Sequence, residues 1–329
     1  MIPLSVLDLV PIREGGTLSE ALGDSARLAQ VAERAGYKRF WVAEHHATPG
    51  IAGGATSVVL AHIGHATSTI RIGAGGIMLP NHNPFVIAEQ FGTLDGLFPG
   101  RVDLGLGRAP GAAGIVAQAL RKNLHQAAEY FPQDVVELRA LLTGDVDLPI
   151  VATPGLGAQV ELWMLGSSLF GAQLAARLGL PYAFASHFAP DHLDAALETY
   201  RAQFRPSATL ERPHAMAAMT VIAADSDEEA QLLATSQDQS FVRLRSGDPG
   251  KLPPPLPRFR ESLPEGARAM LEHLGQVRAV GSPATVADRI GRFLERTRAD
   301  ELIVSGATFD PAARCRSLEL TRQAVGAAA

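Results

Sequence analysis

Residues 70–84 have the sequence I-R-I-G-A-G-G-I-M-L-P-N-H-N-P, residues 86–100 have V-I-A-E-Q-F-G-T-L-D-G-L-F-P-G, and residues 101–111 have R-V-D-L-G-L-G-R-A-P-G. The first segment is apolar and β-branched as far as Met78, which is typical of a buried strand. Apolar residues then recur at helical spacing between the N-cap signal Asn83-Pro84 and the stop signal Pro99-Gly100. A second short strand follows, and a strand–helix–strand unit of this kind predicts a parallel sheet.

The rest of the chain repeats this alternation of strands and helices. Further strands are predicted at Leu4–Val10, Arg39–Glu44, Glu161–Leu165, Tyr182–Ser186, Met216–Ala223 and Glu301–Ser305. A capping box of Thr17 and Glu20 begins the first helix. Residues 120–142 are predicted to be mostly helical, with a break near Pro132. Eight strands alternating with helices predict an α/β fold of the (β/α)8 TIM-barrel type, in a single domain of residues 1–329.

The composition is that of an ordinary globular chain. Of 329 residues 47% are hydrophobic, and the net charge is -5. This charge gives no reason to expect nucleic acid or an anionic membrane as a partner, and the apolar stretches are too short to span a bilayer. The N-terminus carries no secretory signal, and a single cysteine, Cys315, excludes an internal disulfide. We therefore expect a cytoplasmic protein.

One segment interrupts the alternation before the last predicted strand. Residues 246–264 contain Gly247, Gly250 and the run Pro253-Pro254-Pro255. A loop of this length inside a compact domain is usually functional, and the alternative is a surface excursion without a role. The residues alone favour neither interpretation.

Two predicted strands contain glycine residues that the packing of a sheet does not by itself require. Gly75 and Gly76 lie within a predicted strand, where glycine usually marks the close approach of a ligand or of another backbone. Gly107 ends the next strand directly before Arg108. Tight helix-on-sheet packing beside a solvated arginine would explain either feature alone. Together, at neighbouring carboxyl ends of parallel strands, they favour a pocket for a flat ligand with an anionic tail.

Two further strand exits carry residues capable of chemistry. Glu44, His45 and His46 close the second strand, and adjacent strand residues point to opposite faces, so one histidine faces the pocket more easily than the other. A hydrogen-bonded structural pair is the alternative, and the other histidines supply no evident metal-ligand spacing. Gly166-Ser167-Ser168 lies between a strand and a helix, where backbone N–H groups form either an anion site or a simple N-cap.

Three motifs in order carry a specific resemblance. They are W-V-A-E-H-H at residues 41–46, G-G-I-M-L-P-N-H at residues 75–82, and D-L-G-L-G-R-A-P-G at residues 103–111. With these motifs the chain resembles the bacterial-luciferase-like superfamily of flavin-dependent oxidoreductases, in its luciferase-like monooxygenase branch, over nearly its whole length. The resemblance implies a (β/α)8 barrel that binds FMN at the carboxyl ends of its strands, as a homodimer.

The resemblance also implies roles for individual residues. His45 matches the histidine that assists oxygen chemistry at the flavin and is the catalytic candidate. Gly75 and Gly76 match a non-prolyl cis peptide beneath the flavin ring, and residues 246–264 match a mobile lid. The remaining cofactor-binding candidates are Glu44, with Arg108, Gly166, Ser167 and Ser168 around the phosphate. His46 and His82 are candidates for contact with the substrate.

The implied reaction is monooxygenation of a small organic substrate through a flavin peroxide. The chain has no nucleotide-binding glycine motif of the Rossmann or P-loop type, so reduced FMN is expected from a separate flavin reductase. Two alternatives stay open. One is a dehydrogenase of the same fold that uses a deazaflavin coenzyme, and the other is a flavin-binding protein without catalysis.

Overall fold

The computed structural model describes residues 2–109, 118–120, 123–145 and 149–327, so Pro110 and Gly111 lie outside the described residues. The strands are β1 (Leu4–Asp8), β2 (Arg39–Val42), β3 (Arg71–Met78), β4 (Val102–Gly107), β5 (Glu161–Gly166), β6 (Tyr182–Phe184), β7 (Ala215–Ala223), β8 (Arg278–Gly281) and β9 (Glu301–Ser305). The helices are α1 (Leu18–Arg34), α2 (Thr56–Ala66), α3 (Pro84–Leu97), α4 (Leu124–Thr143), α5 (Leu169–Leu178), α6 (Leu193–Gln203), α7 (Asp227–Arg245), α8 (Glu265–Leu274), α9 (Pro283–Thr297) and α10 (Pro311–Ala327).

The predicted barrel is confirmed. Strands β1 to β7 pair in chain order, β7 pairs with β9, and β9 pairs with β1, so eight parallel strands close on themselves. Buried side chains fill the interior, and Trp41 and Trp163 meet there edge to face with ring centroids 5.3 Å apart. A second, larger core lies between the strands and the surrounding helices. The barrel interior is therefore a packed core and not a channel.

The sequence analysis missed one strand. The predicted eighth strand, residues 301–305, is β9, and β8 precedes it. β8 has four residues and pairs only with the second half of β7, Thr220–Ala223, while β9 pairs with Met216–Thr220. So short a strand, paired along one edge, leaves little periodic signal in the sequence.

Three predicted strands extended two residues too far. β1, β2 and β6 end at Asp8, Val42 and Phe184, and the chain turns directly after them. After β1, for example, the Asp8 carboxylate accepts a hydrogen bond from the Val10 N–H, and Val10 has a φ of 53°. The two residues beyond each of these strand ends lie in loops at the carboxyl end of the barrel.

The predicted helix starts are confirmed, whereas the predicted break at Pro132 is wrong. The Thr17–Glu20 capping box begins α1, and the Asn83 side chain caps α3 by accepting from the Phe85 N–H. Helix α4 runs through Pro132 without interruption. Its neighbours Phe131 and Val135 are buried, so packing against the barrel offsets the hydrogen bond that proline cannot make.

Strand β3 needs glycine for packing reasons. A Cβ atom on Gly75 would lie 2.8 Å from Leu7 and 2.9 Å from Trp41, and one on Gly76 would lie 2.6 Å from the Gly105 carbonyl oxygen. The peptide bond between Gly75 and Gly76 is cis, as the resemblance implies. The fit of the barrel itself therefore requires glycine at both positions.

The segment 246–264 is attached to the loop after β1. The Leu252 N–H donates to the Ile12 carbonyl at 2.9 Å, and the Glu14 N–H donates to the Leu252 carbonyl at 2.8 Å. The Lys251 ammonium donates to the Gly16 carbonyl at 2.8 Å. Leu252 is buried by these contacts, so the segment crosses the structure at the carboxyl end of β1. Within the described ranges, no helix combines the length and the apolar composition of a membrane span.

Buried ion pairs close the amino end of the barrel. Arg39, at the start of β2, donates to Asp103 on β4 and to Glu301 on β9, at 2.9 Å each. The three side chains are 2%, 0% and 0% exposed. Removing one partner of such a cluster leaves a buried charge uncompensated and costs about 3–5 kcal/mol. These contacts therefore tie three separated strands together.

We predict that Glu301→Gln lowers the free energy of unfolding by about 3 kcal/mol, because Arg39 loses a buried counter-ion. Burial raises the pKa of Glu301, but hydrogen bonds from His214 and Ser5 and the charges of Arg39 and Lys38 outweigh it and lower that pKa to about 2. The stabilisation is present above the ordinary carboxyl pKa and is lost as the pH falls towards 2. Urea unfolding as a function of pH measures both effects. The exposed Glu137→Gln is the control, and equal behaviour of the two variants would contradict the prediction.

Candidate active site

The carboxyl ends of the strands form one mouth, as in other barrels of this type. Because the strands are parallel, the segments that follow β2 to β6, which we call the exits of these strands, all lie at this end. These exits carry residues 44–46, 78–82, Arg108, residues 166–168, and residues 185–187. The candidates Glu44, His45, Arg108, Ser167 and Ser168 therefore lie at strand exits, whereas Gly75 and Gly76 lie within β3.

A carboxylate network organises the exits of β2 and β3. Glu44 is 1% exposed and accepts hydrogen bonds from His46 at 2.6 Å and from His82 at 3.0 Å. It also accepts from the Met78 N–H at 3.1 Å and from the Asn81 side-chain amide at 3.2 Å. Burial raises the pKa of the Glu44 carboxyl. The hydrogen bond and charge of His82, together with the hydrogen bonds from Asn81 and Met78, outweigh burial and bring this pKa below its ordinary value. Glu44 is therefore a charged anchor for both histidines.

The network separates the two adjacent histidines. His46 bonds to Glu44, and His45 lies between these two residues in the chain, after the end of β2. Burial lowers the pKa of the half-buried His45, more than the charge of Glu44 raises it. His45 is therefore neutral near pH 7, with the lone pair that proton transfer needs.

Glu44, His46 and His82 can also be described as a possible cation site. Their ligand atoms all lie within 4.8 Å of one another. Sequence spacing gave no hint of such a group, because His82 comes from a different strand exit. The contacts of Glu44 with both histidines are ordinary carboxylate–imidazole hydrogen bonds, and the two imidazole rings lie 6.3 Å apart between centroids.

The exits of β4 and β5 place a cation beside a helix N-terminus. The guanidinium of Arg108 stacks over the ring of Phe170 at 4.0 Å, and Phe170 belongs to the first turn of α5. Ser168 is the N-cap of α5, but its side chain makes no capping hydrogen bond. The exposed guanidinium therefore lies beside the start of α5, where free backbone N–H groups and the helix dipole favour an anion.

One mouth residue escaped the sequence analysis as a site candidate. His187 follows β6, and its Nδ1 atom is buried without a hydrogen-bond partner. Burial and, to a smaller extent, the charge of His45 lower the pKa of His187 to about 4. Its position just after a strand was the available signal, but no recognised motif surrounds it.

Fold and mouth together are those of a (β/α)8 barrel with candidate functional residues at the carboxyl ends of its strands, and comparison with known proteins is more specific. Residues 2–301 match the family model described as luciferase-like monooxygenase. The chain is 48% identical over 320 residues to a luciferase-like monooxygenase of Escherichia coli (strain K12), covering 97% of this chain and 96% of the relative. The chain belongs to the luciferase-like monooxygenase family, and it is a flavin-dependent oxidoreductase.

Other relatives carry more specific names. The N-acetyl-S-alkylcysteine monooxygenase of Bacillus subtilis (strain 168) is 35% identical over 254 residues, which cover 75% of each chain. The crystal structure of apo-MsnO8 has a TM-score of 0.89 at 36% identity and covers 99% of each chain.

Two more distant structures share the fold alone. One is the oxygenating constituent of 3,6-diketocamphane monooxygenase in complex with FMN, with a TM-score of 0.72, 18% identity and coverage of 99% of this chain and 98% of that one. The other is an F420-dependent secondary alcohol dehydrogenase, with a TM-score of 0.70, 14% identity and coverage of 100% and 99%. The fold therefore accommodates flavin and deazaflavin cofactors.

We predict that Arg108→Ala weakens FMN binding roughly thirtyfold, because a charge-assisted hydrogen bond to phosphate contributes about 2 kcal/mol. Riboflavin, which lacks the phosphate, should bind both proteins equally. Quenching of flavin fluorescence measures both affinities. Arg292→Ala, at an exposed arginine on α9, is the control. If riboflavin loses as much affinity as FMN, Arg108 is not a phosphate ligand.

Proposed function

We propose that this chain is a monooxygenase that uses reduced FMN, follows the flavin-peroxide route and oxygenates a small organic substrate in the barrel mouth. A separate flavin reductase supplies the reduced FMN, and the protein acts in the cytoplasm. The observation that carries the proposal is the pairing of two sites in one mouth. A cation stacked at the N-terminus of α5 suits the phosphate, and a neutral imidazole at the β2 exit suits proton transfer to or from oxygen.

The residues divide the work between binding and chemistry. Arg108 and the turn Gly166-Ser167-Ser168 hold the phosphate, and Gly75-Gly76 offers a flat, side-chain-free surface to the ring. Glu44 fixes His46 and His82 at the mouth, and these two histidines line the side on which the substrate is held. His45 moves a proton at its ring nitrogen. Reduced FMN supplies the electron pair with which one oxygen atom of O2 enters the substrate and the other leaves as water.

FMN is favoured over a deazaflavin by the names of the relatives. The relatives with named reactions are monooxygenases, which activate dioxygen, whereas a deazaflavin enzyme transfers hydride without oxygen. The decisive experiment adds oxygen to the anaerobic complex of the protein with reduced FMN and records the absorption spectrum. The proposal requires a transient peroxyflavin band and oxygen uptake. Tight binding of F420 together with oxygen-independent reduction of an alcohol or ketone would replace it with the dehydrogenase.

The name of one relative, an N-acetyl-S-alkylcysteine monooxygenase, suggests a substrate class. We propose small thioethers as first substrates to assay, since sulfur is readily oxidised by a peroxide.

We also propose a homodimer through α2 and α3, because Val58 is 68%, Leu97 49% and Val86 43% exposed on these neighbouring helices. Sedimentation velocity of the protein and of Val58→Lys tests the homodimer.

We predict that His45→Ala leaves the FMN affinity within about twofold but diverts the reaction, because the proton transfer at oxygen is lost. Reduced FMN should then be consumed with release of hydrogen peroxide in place of oxygenated product. Peroxide and product are measured in the same sample. His46→Ala is the comparison, since its ring bonds to Glu44. An unchanged product yield in His45→Ala would show that His45 does not transfer the proton.

We predict that residues 246–264 act as a lid, so that limited proteolysis cuts there first and bound FMN slows the cut. The attachment through Leu252 must open for the cut to occur. The turn at residues 205–212 lies at the opposite end of the barrel, and cleavage there is the internal control. Equal rates of cleavage within 246–264 with and without FMN would show that the segment does not close over the site.

A further inference from the structure

Glu44, His46 and His82 bring three metal-ligand side chains together at the exits of β2 and β3. The Oε1 atom of Glu44 lies 2.6 Å from the Nε2 atom of His46 and 3.0 Å from that of His82. Three ligand atoms, one from each residue, lie within 4.8 Å of one another, and the residues that the structure describes contain no other such group. The closed barrel assembles this cluster, since its members come from two separate exits.

The ligand atoms of the cluster are those that zinc prefers. Two imidazole nitrogens and one carboxylate oxygen, with a fourth position open to water, are a common ligand set for Zn²⁺. Zn–N and Zn–O distances of about 2.1 Å place neighbouring ligand atoms about 3.4 Å apart in a tetrahedral site. Both contacts of Glu44 are shorter than this, and the whole cluster spans no more than 4.8 Å. Small side-chain rotations therefore suffice to bring the three atoms to coordination distance.

The charge of the cluster favours a cation. The Glu44 side chain is 1% exposed, and its recorded ion-pair partners are His46 and His82. Within the described ranges, no lysine or arginine forms an ion pair with this carboxylate. A buried carboxylate is stabilised by an opposite charge at short distance. A divalent ion between the three side chains would supply that charge.

The cluster is both supported from behind and accessible from the mouth. The Met78 N–H donates to the Oε2 atom of Glu44 at 3.1 Å, and the Asn81 amide donates to Oε1 at 3.2 Å. Outer contacts of this kind orient the ligands of metal sites. The side chains of His46 and His82 are 23% and 26% exposed. An ion can therefore reach their nitrogen atoms while the core stays closed.

The histidine–carboxylate pair at the amino end of the barrel differs in charge. The Nε2 atom of His214 lies 3.3 Å from Glu301, but Arg39 and Lys38 already form ion pairs with that carboxylate. Like charges so close together repel a further cation. Proximity of a histidine and a carboxylate is therefore not sufficient, and the charge around Glu44 distinguishes its cluster.

We propose that Glu44, His46 and His82 bind one Zn²⁺ ion in the barrel mouth. Coordination replaces the two carboxylate–imidazole hydrogen bonds. Each imidazole then carries its proton on Nδ1 and presents the Nε2 lone pair to the metal, so no net proton is released. This inference goes beyond the proposed monooxygenase function, because it concerns the binding of an ion and not turnover.

Titration with Co²⁺ tests the site by its absorption spectrum. The flavin-free protein, prepared without a polyhistidine tag, is titrated with Co²⁺ at neutral pH. A four- or five-coordinate site of nitrogen and oxygen ligands gives visible bands much stronger than those of the hydrated ion, because these bands depend on coordination geometry. One equivalent of Co²⁺ should saturate the signal. Zn²⁺ should then abolish it, since Zn²⁺ binds such ligands more tightly than Co²⁺.

Matched variants separate coordination from hydrogen bonding. His82→Gln keeps an N–H donor for Glu44 but removes the imidazole ligand, and His46→Gln does the same at the other position. Each should weaken Zn²⁺ binding about a hundredfold, since the loss of even an outer partner of a metal ligand costs about 10–100-fold. His273→Gln, at an exposed histidine paired with Asp191 on the surface, should bind Zn²⁺ like the wild type. Thermal unfolding without metal checks that the variants are folded.

Two results would overturn the inference. A wild-type spectrum as weak as that of hydrated Co²⁺ would show that the cluster is a hydrogen-bonded network only. Zn²⁺ binding of unchanged affinity in both His82→Gln and His46→Gln would place the ion elsewhere on the protein. Neither flavin nor organic substrate is present in these titrations, so their outcome is independent of the test of the monooxygenase proposal.

Discussion

The buried guanidinium of Arg39 is the contact on which the rest of the structure depends. It joins β2 to Asp103 on β4 and to Glu301 on β9, so one side chain fixes strands that lie on different parts of the ring. Above it, Trp41 and Trp163 fill the interior, and the Trp41 ring nitrogen donates to the same Asp103. A base of this kind makes the barrel rigid at its amino end, and the opposite end is left free for chemistry.

At the mouth, the buried carboxylate of Glu44 joins separate parts of the chain, as the Arg39 guanidinium does at the amino end. Glu44 holds His46 and His82 together by accepting from both, and it is itself held by the Met78 N–H. His45 lies between Glu44 and His46 in the chain, and burial lowers its pKa. One short motif therefore supplies both an anchor and a candidate proton carrier.

The mouth combines charged and neutral groups. The exposed guanidinium of Arg108 lies at the start of α5, and burial lowers the pKa of His45 at the exit of β2. Membership of the luciferase-like monooxygenase family makes flavin chemistry the function that such a mouth serves. Under the proposed function, the cation supplies affinity for the cofactor, and the imidazole supplies a group that can transfer a proton.

The sequence by itself determined the strand–helix alternation, the caps at Thr17 and Asn83, and the position of most site residues at strand exits, because these signals are local. Tertiary structure decided the rest. β8 forms only because β7 offers it an edge, and α4 continues through Pro132 only because Phe131 and Val135 are buried against the barrel. The Glu44 network joins residues from separate exits. Barrel closure brings such residues together, and spacing along the chain does not encode that closure.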